Sequence, residues 1–304
     1  MIGIVVAVLG FGFVIQRAVA NWDDVQAAMR DASRVWLVPA FLLAAAGMTV
    51  IALAWRYVLA ALGGRVSSRD AVRWYFPGEL GKYVPGGIWP VVGRAELARR
   101  GGVRRGVAYA SVALSLGALY LAAIAVVAAA LPAQLAATND SAAPLVVALL
   151  LPVGVVALHP RVLTTLHGWA QRVVKRDFEV DIPSWRTSLL LVARYVPAWA
   201  LIGGATWCVA RAFDDHAPFG RVFVAAVVSW VVGFLLVPVP GGVGVREAVF
   251  VAVAGLSVGV GATVALIARL IFMAVDTGGA VLAPMVTRTR RSSVPAASAP
   301  DPPH

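Results

Sequence analysis

The sequence holds a single cysteine, Cys208, inside an apolar run, which excludes an intrachain disulfide and a cysteine metal cluster. A small core hydrophobe is the expected role of such a residue. Four histidines, His159, His167, His216 and His304, are scattered at spacings that match no metal-ligand motif, so no metal and no cofactor are expected. Also missing are a nucleophile elbow, a Walker loop, a zinc helix and a paired-carboxylate active site. The run "GGVG" at 241–244 is no dinucleotide fingerprint, because no strand precedes it and no G-x-G-x-x-G is completed. The expectation is a protein that is not an enzyme. Acidic residues are scarce too, 15 against 26 basic ones, for a formal charge of +11. That balance could suggest nucleic acid, but 24 of the 26 basic residues are arginines, many of them in short segments beside apolar runs. No recognition motif accompanies the charge, so nucleic acid is excluded as a partner and the positive-inside rule explains the arginines better.

What is abundant is apolar surface. The 304 residues are 60% hydrophobic and 13% charged, as in polytopic membrane proteins. Residues 35–54, 107–131, 222–239 and 248–268 carry no charge and are long enough to cross roughly 30 Å of hydrocarbon as helices. Residues 1–16 are apolar and are followed by "RAVA", which offers a cleavage site. The basic start of a secretory signal is absent, so a retained first helix is expected.

Charge asymmetry then suggests a topology of about eight spans with both termini cytoplasmic. After helices over 2–16 and 35–54 comes a basic loop with Arg56, Arg65, Arg69 and Arg73. Residues 71–93, "AVRWYFPGELGKYVPGGIWPVVG", are long enough to span but carry Arg73, Glu79, Lys82, three prolines and five glycines, and so read as a re-entrant hairpin enclosed by protein. Spans over 107–131, 145–158, 188–210, 222–239, 248–265 and 270–286 follow. Between the second and third of these, Val162, Leu166, Trp169, Ala170 and Val173 recur at helical spacing among cations, as in an amphipathic helix lying on the inner leaflet. The membrane domain is expected to cover 1–286, and the basic, Pro/Ala/Ser-rich stretch 287–304 to be a disordered cytoplasmic tail.

One pattern repeats. "YVPGGIWPVVGRAEL" at 83–97 and "PVPGGVGVREAV" at 238–249 share P-G-G, then Arg and Glu, then a long apolar run. Paired Gly/Pro-interrupted segments in two halves of a membrane chain point to a transporter's central site. With the span count above, both copies face the cytoplasm, which makes the repeat parallel. Breaking a helix creates new ends, and an N-terminal end with free N–H groups favours an anion. An adjacent arginine adds a forked, permanent cation suited to phosphate.

Arg246, Arg94, Lys82, Arg269 and Arg194 are therefore the expected phosphate or headgroup contacts. Glu247, Glu96, Glu79 and Asp276 are expected to balance their charge. Pro85, Gly86, Gly87, Pro240, Gly241, Gly242 and Gly244 make the breaks. The plainer alternative is a P-G-G turn between spans whose Arg246 and Glu247 neutralise each other. Arg269 and Asp276, seven apart, share a helix face and could pair; Arg269 could instead snorkel to an interface.

The sequence resembles the lysylphosphatidylglycerol synthase transmembrane, or flippase-like, family. The likeness lies in "WRYVLAALG" (55–63), "GKYVPGGIWPVVGRAELARRGG" (81–102), "HPRVLTTL" (159–166), "PVPGGVGVREAVF" (238–250) and "ALIARLIFMAVDTGGAVL" (265–282). It implies an all-α integral membrane domain that moves lipids with charged headgroups between leaflets, with membrane lipids, lipid-linked sugars and envelope biosynthesis proteins as partners. Larger members add a soluble aminoacyl-transferase domain; none follows here, so lipid aminoacylation is not expected. "SVALSLGALYL" also departs from the family, having no charge where many relatives carry an Arg with an acidic partner. A flippase of the cytoplasmic membrane for an anionic phospholipid or polyprenyl-phosphate-linked sugar is thus the leading expectation. A membrane glycosyl- or phosphotransferase using Asp23, Asp24, Asp214 or Asp215, and a non-catalytic partner of an envelope synthesis complex, are the alternatives.

Overall fold

The computed structural model describes residues 32–83, 88–137, 152–174, 179–235 and 244–287. Among these residues all regular structure is helical. Four helices are long and apolar enough to cross a membrane: α1 (Leu37–Ala61), α4 (Arg105–Ala137), α6 (Trp185–Phe213) and α9 (Val258–Thr287). Between them lie the shorter α2 (Ser68–Glu79), α3 (Trp89–Arg100), α5 (Pro160–Val174), α7 (Phe219–Leu235) and α8 (Val245–Val253). The expected first helix, most of the span over 145–158 and the tail from 288 lie outside the described residues.

Local chemistry sets where the helices start and stop. Ser67 caps α2 by accepting the Asp70 N–H at 3.1 Å, and Ser184 caps α6 by accepting the Thr187 N–H at 3.2 Å. Pro77, inside α2, removes one backbone donor, and within three residues the chain tightens into a 3-10 turn, Leu80–Tyr83. The helix resumes as α3 with Pro90 in its first turn, where the missing N–H costs nothing. Residues 71–93 are thus a helix–break–helix hairpin, as their proline and glycine content suggested.

The second half repeats this plan. Helices α1, α2, α3 and α4 correspond in order to α6, α7, α8 and α9: a long helix, a two-armed hairpin and a second long helix. The packing is reciprocal, since α2 lies on α9 as α7 lies on α4, and α6 touches α4 as α1 touches α9. Both hairpins leave through a glycine with positive φ, Gly102 at 95° and Gly255 at 68°, a backbone conformation that a side chain would strain.

The two halves are inverted, not parallel. Ser33 N–H donates to Ala212 O at 2.8 Å, an added Cβ at Gly47 would meet Ile202 at 3.2 Å, and one at Gly204 would meet Leu43 at 3.7 Å. Rising numbers in α1 therefore meet falling numbers in α6, so these corresponding helices run antiparallel and the hairpins enter from opposite faces. The parallel expectation came from taking 222–239 as a complete span back to the cytoplasmic face, whereas α7 packs on α8 as the arms of a hairpin; 248–265 and 270–286 also read as two spans. The chain instead forms the nine-residue α8, turns at Gly255, and runs through α9 as one helix of 30 residues, about 45 Å long.

The core is small-residue packing against a few large aromatics. Ala40, Ala44 and Gly47 of α1 face Ala198, Ala205 and Cys208 of α6, all but Gly47 counted in the buried core, which lets the two backbones approach closely. Cys208 is buried, as its sequence context suggested. Trp55 donates to Ser111 Oγ at 3.1 Å, Trp199 donates to Leu119 O at 2.7 Å, and Ser115 shares a 2.7 Å hydrogen bond with Tyr195, so neutral bonds fix α4 to α1 and α6. Helix α5 is amphipathic and leaves Leu166 and Trp169 exposed, with His159 packed edge-on against Trp185 at the start of α6.

Candidate functional site

Arg269 and Asp276 straddle the middle of α9 and sit among the least tolerated residues in a bilayer. Each would cost at least ~2.5 kcal/mol facing lipid, so each needs an interior partner. They do not pair with one another. Asp276 is fully buried; its Oδ2 takes the Lys82 ammonium at 2.7 Å and the Tyr83 hydroxyl donates to it at 2.7 Å. Arg269 Nη1 reaches Glu247 Oε1 of α8 at 2.5 Å. The tip of the first hairpin and the base of α8 therefore grip the same helix at two points about two turns apart.

A second layer stands behind Lys82. Glu79 Oε2 lies 3.4 Å from Lys82 Nζ, and Glu79 Oε1 lies 3.5 Å from Arg94 Nε. Arg94, 2% exposed, is packed among the rings of Tyr75 and Trp55, at 5.2 and 5.9 Å from its guanidinium carbon. Gly78 makes room for it: an added Cβ there would fall 2.3 Å from Arg94 Cγ. Two buried atoms in this layer lack a hydrogen-bond partner, Arg94 Nε and Asp276 Oδ1. Such groups are costly in a low dielectric and are the ones an incoming polar ligand would relieve.

Arg246 differs from the other cations. Among the described residues no carboxylate lies within ion-pair distance of it; its guanidinium carbon sits 3.9 Å from the centre of the Trp230 ring, and Lys82 Nζ lies 5.8 Å from the same ring. The neighbouring Glu247 is already engaged, since it holds Arg269 and accepts the Gly244 N–H at 2.6 Å. Arg246 and Glu247 thus form no ion pair with each other, and the N-cap donor of α8 is taken by the chain's own carboxylate. Arg246, Glu247 and Arg269 line a cavity of about 30 Å³ with Thr206, Ser229 and Trp230, room for about one water molecule. The hollow mixes these polar groups with Phe250, Ala265, Ala268 and Phe272, and in this conformation it is far smaller than a lipid headgroup.

Two expected residues lie elsewhere. Glu96 accepts from Arg99 and Arg100 at 2.7 and 3.1 Å at the exposed end of α3 and has no contact with Arg94. Two positions along a helix turn a side chain by about 200°, which carries Glu96 to the opposite face from Arg94. Arg194 is exposed on α6 and stacks at 3.7 Å on Tyr57 of α1. Of the break residues only Gly244 is described; it caps α8 with φ 82°. Pro85, Gly86, Gly87, Pro240, Gly241 and Gly242 lie outside the described residues. Asp214 accepts the His216 N–H at 2.8 Å and Asp215 lies 3.9 Å from Arg211, both in the turn between α6 and α7; Asp23 and Asp24 are not described. Tyr83 and Trp230 belong to the site and were not singled out from the sequence. Their one signal is position: Tyr83 abuts the first break, and Trp230 is a lone aromatic with an indole N–H inside an apolar run.

The sequence matches the family described as Lysylphosphatidylglycerol synthase TM region over residues 1–283. The chain belongs to this family. The lysylphosphatidylglycerol synthase transmembrane region is a membrane domain of lipid-related envelope proteins, which agrees with the helical, apolar fold. None of the curated proteins compared matches the chain.

Proposed function

We propose that the protein moves lipids with an anionic headgroup, a phospholipid or a polyprenyl-phosphate-linked sugar, between the leaflets of the cytoplasmic membrane. The observation that carries this reading is Arg246: a half-buried cation of a membrane domain, lining a cavity with Glu247 and Arg269, with no carboxylate at ion-pair distance among the described residues. A permanent charge there needs an anion, and a phosphate suits a guanidinium fork.

In this reading the two hairpins act as opposed gates. The headgroup enters where one tip withdraws from α9 and its phosphate meets Arg246, then Lys82 and Arg269. Glu79, Glu247 and Asp276 hold those cations while no lipid is present and give them up to the phosphate in turn. The acyl or polyprenyl tails stay in the bilayer. An inverted repeat suits this cycle, because the same gate is built once for each face and the two need only alternate. Both termini are then cytoplasmic, with α5 on the inner leaflet. Nothing in the cycle needs a catalytic acid or base, and it is a transporter, not a glycosyl- or phosphotransferase.

Proteoliposomes carrying a fluorescent anionic phospholipid test the proposal through the fraction of label protected from a membrane-impermeant quencher. Wild-type protein should abolish the protected fraction within minutes, and Arg246→Ala should slow exchange by roughly two orders of magnitude, the scale of an interior charge interaction. Exchange that is absent in the wild type, or unchanged in Arg246→Ala, would overturn it.

A further inference from the structure

The interior charges sum to a value that selects a class of headgroup. Around Trp230 and the middle of α9 the structure gathers four cations, Lys82, Arg94, Arg246 and Arg269, and three carboxylates, Glu79, Glu247 and Asp276. Each carboxylate has a cation within 3.5 Å. Residues 84–87 and 236–243 contain no ionisable side chain. Four positive and three negative groups leave one positive charge. Four of these seven groups are nine-tenths buried or more, Glu79, Arg94, Glu247 and Asp276, and water cannot supply the missing counter-charge to them as it would at a surface.

A domain that carries a headgroup through hydrocarbon is stable when loaded only if the ligand cancels that remainder. Resting on the lipid-translocation reading above, we infer that the ligand is a lipid phosphodiester bearing one negative charge, and that phosphomonoesters and diphosphate-linked lipids are disfavoured. A dianion would leave the cluster at −1 beside Glu79 and Asp276, and a zwitterion would leave it at +1. The pairing points the same way, since Lys82, Arg94 and Arg269 each have a carboxylate within 3.5 Å and the Arg246 guanidinium, free to fork to two oxygens, meets a single phosphate. Both a glycerophospholipid and a polyprenyl-phosphoryl sugar are phosphodiesters, so the charge match fixes the phosphate and leaves the tail open.

The test is competitive binding to the purified full-length protein in detergent at pH 8.5, where a phosphomonoester, with its second pKa near ~6, is dianionic. Phosphatidylmethanol and phosphatidate with identical chains differ by one methyl group and one charge. The first should bind roughly tenfold tighter, one ligand per protein. Asp276→Asn raises the cluster to +2 and should turn the preference toward phosphatidate. Should that variant fail to fold, Arg246→Gln lowers the cluster to zero and should weaken phosphatidylmethanol binding to the level of phosphatidylcholine. A short polyprenyl-phosphoryl hexose run beside phosphatidylmethanol tells which tail is preferred, and either result keeps the charge match. Phosphatidate binding equally or tighter in the wild type, or an order unmoved in the charge variants, would overturn it. Leaflet exchange on the same samples separates the two ideas. The expected binding order without exchange removes the flippase reading alone, whereas exchange fastest for phosphatidate removes the charge match alone.

Discussion

The two halves of the molecule share one architecture and differ in what holds their long helices. Helix α4 of the first half carries no charge after Arg105 and is fixed by neutral hydrogen bonds, with Ser111 accepting from Trp55, Ser115 bonded to Tyr195 and the Leu119 carbonyl accepting from Trp199. Helix α9 of the second half is held by ions, Asp276 by Lys82 and Arg269 by Glu247. Neutral bonds between packed apolar surfaces give no reason to exchange partners. An ion pair can be handed to another charge of the same sign, so the difference divides the repeat into a fixed spine and one whose contacts a ligand can replace. Both hairpins address α9 with their charges, and this is where an inverted repeat departs from symmetry.

The largest expected break in that comparison is Asp276→Ala, which strands Lys82 without its closest counter-charge and should cost about 3–5 kcal/mol of stability. Thermal unfolding in detergent measures it, and Lys82→Met in the same chain should recover much of the loss because the buried charge is gone. Glu247→Gln comes next: it frees Arg269 and weakens the cap on Gly244, for about 2–3 kcal/mol by the same assay. Tyr195→Phe, in the fixed spine, should cost only about 0.5–1.5 kcal/mol and leave lipid exchange at the wild-type rate. An exchange rate as sensitive to Tyr195→Phe as to Asp276→Ala would erase the distinction between the two spines.

A second comparison is between the two exits from the hairpins. Gly255→Ala meets both a positive φ and the Arg221 side chain 2.7 Å from the new Cβ, whereas Gly102→Ala meets the φ alone, with open space around it. The second should lower stability by about 1–2 kcal/mol and the first by more, a difference that denaturation midpoints would resolve. Glu96→Gln, at the exposed end of α3, should change stability by about 0.5 kcal/mol or less and leave exchange unaltered.

Much of this was legible in the sequence where polar residues interrupt apolar ones. The first hairpin announces itself because Pro77, Glu79, Lys82, Pro85 and the glycines cannot face lipid. The membrane class and the family follow from long uncharged runs and the paired P-G-G motifs. The hand of the repeat was not legible, because residues 222–239 are as long and apolar as a complete span, and hydropathy does not tell a full crossing from one arm of a hairpin. The site was legible as a set of charges and not as a set of pairs. Arg269 and Asp276 share a face of α9, yet each is taken by a different hairpin, a choice made by tertiary packing across 22 and 194 residues of chain for Arg269–Glu247 and Asp276–Lys82. Arg194 and Glu96 looked equivalent to the buried ions because spacing tells which residues share a helix face and not which face is turned inward.

The central claim is that a lipid phosphate reaches Arg246 inside the domain. A photoreactive anionic phospholipid with its label beside the phosphate, cross-linked in liposomes and mapped by mass spectrometry, tests this most directly. Adducts are predicted on Trp230, on α8 around Arg246 and on α9 between Arg269 and Asp276, and they should vanish in Arg246→Gln. Adducts confined to lipid-facing positions such as Leu42 or Leu190, and unchanged by that substitution, would contradict it.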